Sequence, residues 1–169
     1  MRKSLKIVTL ATAVALTGMS GALAPLMAAE EFFSAKLRGG NETPVTVATG
    51  ASGVWGARLD SAETSMAFEL FYDALEGGTV SGAHIHLGRP AITGGIVIHL
   101  CGTGGTAPCP ASPGFVSGVL TANNVVAVAT QGIAAGDFAK VIRAMRKGDA
   151  YVNVHTGVFP GGEIRGQVE

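Results

Sequence analysis

The sequence predicts an all-β Greek-key sandwich or barrel carrying one short helix. Three observations lead there. Short runs rich in β-branched and aromatic residues recur between Gly, Pro and Asn turns, which is how strands and their connections read. Within such runs apolar residues alternate with smaller or charged ones, as in Met66-Ala67-Phe68-Glu69-Leu70, the pattern of a half-buried strand. A single later segment follows a helical period instead. The candidate strands cover residues 31–38, 52–59, 65–72, 80–87, 95–100, 114–120, 125–129, 150–155 and 163–168, a spacing that suits a sandwich or barrel.

The chain begins with a different kind of segment. Met1-Arg2-Lys3-Ser4-Leu5-Lys6 is a basic head, residues 7–16 (IVTLATAVAL) are apolar, and small residues lead to Ala28-Ala29. These are the three parts of a secretory signal peptide. The apolar run is shorter than the roughly 20 residues a bilayer span needs, and no later segment is long enough either. Residues 1–29 are therefore expected to be a leader cleaved after Ala28 or Ala29, and residues 30–169 a single exported domain, periplasmic or secreted. Losing Arg2, Lys3 and Lys6 turns a balance of 12 basic and 12 acidic groups into 9 against 12. A mildly acidic domain lacks the clustered Lys and Arg that nucleic acid requires.

The first strand, residues 31–38, runs into Asn41-Glu42-Thr43-Pro44, which reads as a turn after an edge strand. Cys101 and Cys109 bracket the Gly- and Pro-rich loop CGTGGTAPC. In an oxidising compartment a pair this close forms a disulfide that pins the loop, and no CxxC metal or redox motif is present. In residues 137–148, Phe138, Val141, Ile142 and Met145 recur at helical spacing. Asp137 is placed to cap the first turn, and Gly148 suits the position after the last. Lys140, Arg143, Arg146 and Lys147 form a basic face, read as solvated surface.

The chemistry concentrates in the four histidines. His84 and His86 lie two apart in GAHIHLG, so on a strand they share one face while Ala83, Ile85 and Leu87 take the other. The chain echoes this unit near its end. His86-Leu87-Gly88 leads through a turn to Gly94-Gly95-Ile96, and His155-Thr156-Gly157 leads to Gly161-Gly162-Glu163-Ile164. Each reads as a hairpin of strand, H-x-G, loop, Gly-Gly and strand. His99 can oppose His84 only if the hairpin register permits, and the sequence leaves that register open. Imidazole nitrogens on rigid strands suit Cu(II) or Zn(II). The expected site is His84, His86 and His155, with His99 a fourth. Asn153, Glu42 or Glu163 is expected to hold a ligand's second ring nitrogen. Glu163 and Arg165 share a strand face, read as a salt bridge or loop clamp. No nucleophile elbow supports a serine triad, and Gly102-Thr103-Gly104-Gly105 lacks the lysine and helix of a phosphate loop.

Several motifs carry a family resemblance: Leu37-Arg38-Gly39-Gly40-Asn41-Glu42-Thr43-Pro44, Ala83-His84-Ile85-His86-Leu87-Gly88, and Gly148-Asp149-Ala150-Tyr151-Val152-Asn153-Val154-His155-Thr156 with Gly161-Gly162-Glu163-Ile164-Arg165-Gly166-Gln167. From Phe33 to Val168 the chain resembles a CHRD domain, the module named from chordin and found also in bacterial secreted proteins. That resemblance implies an immunoglobulin-like β-barrel. The family is in turn distantly similar to Cu,Zn superoxide dismutases, whose copper ligands include an H-V-H pair and a late histidine. The similarity implies that His84 and His86 match the pair and His155 the late ligand, with His99 near a fourth position and Arg165 where an anion-guiding arginine would lie. No second set of His and Asp ligands exists for a zinc ion, so the implied site is mononuclear. The reading is an exported copper-binding sandwich, with zinc as alternative, serving binding, storage or electron chemistry more than turnover. The alternatives are a metal-free adhesion or protein-interaction module, as partner-binding or homo-oligomeric protein, and third a copper-only dismutase-like enzyme.

Overall fold

The computed structural model describes residues 30–169; the expected leader, residues 1–29, lies outside them. Its strands are β1 (Glu31–Arg38), β2 (Ser52–Leu59), β3 (Ser65–Asp73), β4 (Val80–Leu87), β5 (Ile96–Cys101), β6 (Gly114–Thr121), β7 (Ala150–Thr156) and β8 (Ile164–Gln167), with one helix, α1 (Phe138–Arg146). They form a single eight-stranded antiparallel sheet in the order β5-β4-β7-β8-β1-β2-β3-β6, coiled into a nearly closed barrel. The expected all-β class with one short helix is what the chain adopts.

Alternation explains which side chains fill the barrel. Phe33, Ala35 and Leu37 of β1, Trp55, Ala57 and Leu59 of β2, and Met66, Phe68, Leu70 and Tyr72 of β3 point inward and are buried. On β4 the inward set is Ala83 and Ile85; on β7 it is Val152 and Val154, and Ile98 joins from β5. All of these last five are fully enclosed. Direct pairing of Ile85 with Val152 and of Ile85 with Ile98 keeps them on one face. The intervening residues of the same strands are thereby sent to the outer face.

One expected strand is much reduced. Residues 125–129 make only isolated bridges, Ile98 with Val125 and Val128 with Ile133. Val126 donates to the Val97 carbonyl at 2.9 Å, so the segment touches the free edge of β5 before a 3-10 turn at Ala129–Gln131 carries it away. Gln131 then accepts from Gly95 N and donates to the Leu87 carbonyl, which commits this stretch to the β4–β5 end of the sheet.

The helix buries Phe138, Val141, Ile142 and Met145 against the core. Its N-terminus departs from expectation. Asp137 does not cap the helix; its carboxylate accepts from Ala134 N and Lys140 Nζ instead. Nor is the basic face wholly free, since Arg146 pairs with Glu31 and Glu63, exposed pairs worth little to stability. The C-terminus follows the expected form: Gly148 adopts φ +68, Gly148 N donates to Met145 O and Asp149 N to Ala144 O, a Schellman ending. A Cβ on Gly148 would meet nothing closer than Val168 O at 3.9 Å. Gly148→Ala is therefore expected to destabilise by about 1–2 kcal/mol through the backbone alone, read as a lower urea midpoint at unchanged m-value.

Candidate metal centre

The outer face of β5-β4-β7-β8 carries His99, His84 and His86, then Tyr151, Asn153 and His155, then Arg165 and Gln167. The cross-strand pairs are His84 with His99, His84 with Asn153, His86 with Tyr151, Gly82 with His155, and Asn153 with Arg165. The strands bearing the histidines are lateral neighbours in one sheet, so the rings converge across a shared surface and not across a core. Loops cover that surface and leave His84 and His86 buried and His155 partly exposed.

Each ring of the trio has one nitrogen held by a loop oxygen. His86 Nδ1 lies 3.0 Å from Gly94 O, His155 Nδ1 lies 3.0 Å from Pro160 O, and His84 Nε2 lies 2.6 Å from Thr103 Oγ1. A carbonyl only accepts, so Nδ1 of His86 and of His155 must carry the proton, which leaves each Nε2 a bare lone pair in the neutral ring. The other nitrogens, His84 Nδ1, His86 Nε2 and His155 Nε2, are buried with no hydrogen-bond partner. Among the described residues Trp55 Nε1 is the only further buried side-chain N or O atom so left. One nitrogen from each of His84, His86 and His155 lies within 4.8 Å of the others.

Electrostatics keep the rings neutral. Burial pushes His84 down to about 3, helped by the neighbouring rings of His155, His86 and His99. Burial pushes His86 down to about 4 against the raising effect of the Gly94 carbonyl, with His155 and Arg165 adding to the depression. His155 is likewise lowered by burial, opposed by the Pro160 carbonyl.

The remaining expected residues fall beside the trio in other roles. His99 sits directly opposite His84, with ring centroids 5.0 Å apart, which settles the hairpin register. Its Nδ1 is bonded to Thr103 Oγ1 at 2.8 Å and it stands outside the three-nitrogen cluster. Asn153, Glu42 and Glu163 do not hold ring nitrogens. Asn153 Nδ2 donates to Glu42 Oε1 at 2.5 Å and to Ile164 O. Glu163, fully buried, accepts from Thr49 Oγ1, Glu76 N, Gly77 N and Thr156 Oγ1, a clamp that ties two loops to the end of β7. Arg165 forms no salt bridge with Glu163. It is buried, donates to Arg89 O and Ile92 O, and lies 3.4 Å over the Tyr151 ring, so it is committed to the loop after β4 and not presented to an incoming anion.

Sequence reasoning missed the groups that orient the rings. Tyr151 stacks on His86 at 4.7 Å with planes 6° apart, giving a layered Arg165–Tyr151–His86 stack in which the cation faces the π-cloud. Gly94 serves both partners, donating its N–H to Tyr151 Oη and accepting from His86 Nδ1. A Cβ there would lie 1.7 Å from Leu87 O, so only glycine fits. The alternation of Tyr151 with Asn153 and His155 was the available signal for Tyr151; Thr103, Gly94 and Pro160 lie in loops that periodicity does not reach. Cys101 and Cys109 are bonded with Cα atoms 5.0 Å apart, which closes the loop that carries Thr103.

The fold and the cluster define an all-β barrel protein with a three-histidine site outside its hydrophobic core. Residues 33–168 match the family model described as CHRD domain, and the chain belongs to that family. No curated protein and no solved structure matches it.

Glu42 gives this face a pH dependence. Burial pushes its carboxyl from 4.5 up to about 7, against the opposing pull of Arg165, Asn153 and the Thr43 N–H. Between those values the folded state retains a proton that the unfolded chain has lost, so Glu42 subtracts stability as pH rises through the window and by a constant amount above it. Glu42→Gln is expected to match wild type near pH 4.5 and to gain on it by at most about 1.4 kcal/mol per pH unit up to about pH 7. Urea midpoints of both proteins with chelator present measure the gap, and a gap independent of pH contradicts the assignment.

Proposed function

We propose that this is an exported protein that binds a single metal ion through His84, His86 and His155, with copper ahead of zinc. The observation that carries the reading is the trio of buried ring nitrogens without partners. An unpaired buried polar atom costs about 1–3 kcal/mol, and three on adjoining rings that can each bring a nitrogen within 4.8 Å of the others, each ring held at its other nitrogen by an oxygen, suit a metal ligand set. Neutral imidazoles favour copper over zinc by intrinsic affinity, and both accept nitrogen ligands. His84, His86 and His155 would hold the ion, each through one ring nitrogen, and these nitrogens lie within 4.8 Å of one another. A bound copper ion would supply one-electron chemistry. The chain's own part is to present lone pairs, fix ring orientation through Thr103, Gly94 and Pro160, and limit water behind Tyr151 and the loops. The ligands come from β4 and β7, which the repeated H-x-G units in the sequence single out, and the H-x-H pair followed by a late histidine, which resembles the ligand pattern of dismutase-type copper sites, is the ground for putting copper first. Arg165, committed to loop carbonyls and Tyr151, favours binding, storage or electron chemistry over turnover of an anion.

The test is direct. Protein purified from the exported fraction should hold close to one equivalent of metal by elemental analysis, with nitrogen hyperfine structure in the copper electron paramagnetic resonance spectrum. His84→Ala and His155→Ala should each weaken binding by at least the about 10–100-fold seen for loss of supporting groups. Weak binding that both changes leave intact sinks the proposal.

A second reading, an interaction module, is favoured by the other half of the barrel. Val54, Phe71 and Phe115 stand opposite one another across β2, β3 and β6, and with Phe32 and Val119 they are exposed. They line a groove of about 740 Å³ that also carries Arg58 and Glu69. One charge of each sign beside an apolar row suits an isologous contact with a second copy, in which Arg58 of one faces Glu69 of the other. Sedimentation at micromolar concentration should show a dimer that Phe71→Glu converts to monomer; a monomeric wild type over that range rejects this reading.

A further inference from the structure

Two of the three site rings have their tautomer dictated by a carbonyl, but His84 does not. Its partner, Thr103 Oγ1, is a hydroxyl that can donate or accept. The choice matters, because His84 Nδ1 is the ring's buried nitrogen without a hydrogen-bond partner. If Thr103 donated to His84 Nε2, the ring proton would sit on Nδ1 and occupy its lone pair. If Thr103 accepts from Nε2–H, Nδ1 is bare.

Thr103 has only one proton to give, and a second nitrogen competes for it. His99 Nδ1 lies 2.8 Å from the same oxygen, on a ring less buried than His84. When Thr103 donates to His99 Nδ1, the oxygen is left with lone pairs alone for His84, and Nε2–H must be the donor. The opposite direction would require an N–H at His84 Nδ1, enclosed with no acceptor, the orphan that folded proteins most consistently avoid. The loop is built to hold this hydroxyl still. The Cys101–Cys109 bond closes it, Gly102 N donates to Ala107 O, and both the N–H and the hydroxyl of Thr106 donate to Thr103 O. His99 is further confined by Gly104, where a Cβ would lie 2.3 Å from its ring.

We propose that Thr103 and His99 are positioning residues that set the tautomer of His84: a one-directional chain, His84 Nε2–H to Thr103 and Thr103 O–H to His99 Nδ1, leaves the buried His84 Nδ1 a bare lone pair. This gives His99 a role other than fourth ligand. The importance of the chain for metal rests on the function proposed above, but the tautomer itself does not.

The experiment is long-range proton–nitrogen correlation on histidine-labelled protein in chelator at pH 7.5. Wild type should show His84 and His99 both protonated at Nε2, and Thr103→Ser should keep that pattern. Thr103→Val, of similar shape without the hydroxyl, should shift His84 toward the Nδ1–H form, while unchanged His86 and His155 signals report an intact fold. A wild-type His84 protonated at Nδ1, or a Thr103→Val protein with the wild-type pattern, overturns the proposal. In copper titrations Thr103→Val should bind about 10–100-fold more weakly than wild type and Thr103→Ser within a few-fold of it; equal affinity for Thr103→Val and wild type overturns the metal role. A wild type with the expected tautomers that binds no copper rejects the metal function and leaves the chain standing.

Discussion

The site depends on the register between β4 and β7, and that register is set from the opposite side of the sheet. Ile85 meets Val152 and Ala83 meets Val154 in the core, and all four are fully enclosed. Burying a side chain of valine or isoleucine size contributes about 1.5–3 kcal/mol. A slip of one residue would turn all of these outward and the polar set inward. The penalty for that slip far exceeds anything the histidines could contribute by contacting one another. The rings are therefore placed by the core, and His84, His86 and His155 meet because Ile85, Val152 and Val154 do.

On the outer face the problem reverses, since polar groups are being buried there and each must find a partner. The loops solve it piece by piece. Glu163 gathers four donors, Arg165 takes two carbonyls and a ring face, and Glu42 and Asn153 satisfy each other. Against this nearly complete accounting, three bare nitrogens on adjoining rings stand out. Loop anchoring and ring orientation are also the same structure: Gly94 cannot hold His86 unless the loop after β4 is drawn in, and Arg165 draws it in through Arg89 and Ile92 while supporting Tyr151 under His86.

Much of this was legible in the sequence where it follows from period. The spacing of His84 and His86 places them on one face, the repeated H-x-G unit singles out His155, and the Cys101/Cys109 spacing gives the closed loop. Period also assigns Ile85 and Val152 to the core. It fails where a side chain is decided by tertiary docking. Residues 125–129 have strand composition, yet they find only the end of β5 to bridge before Gln131 binds Gly95 and Leu87. Asp137 has the right type and place for a cap, but Lys140 and the Ala134 N–H compete for its carboxylate. Asn153, Glu42 and Glu163 are the acceptors a reader of sequence would offer the histidines. The actual holders are a threonine and two backbone carbonyls, which carry no signal of residue type beyond a glycine that cannot be replaced.

The arrangement of donors also bears on what the protein gives up to keep the site. Three unpartnered buried nitrogens at about 1–3 kcal/mol each are a large share of the about 5–15 kcal/mol by which a domain is stable. The same backbone would accommodate apolar residues at these outward positions without that cost, since the core on the other face holds the register unaided. An ion bound only by the folded state adds about 4.1 kcal/mol of stability at a free concentration 1,000 times its Kd, which is comparable to the cost of leaving the nitrogens bare. If the proposed ion binds there, a cost that falls on the metal-free protein would be offset on loading, and stability would be coupled to occupancy. That coupling is the physical reason to read the trio as a binding site and not as surplus polarity under a loop.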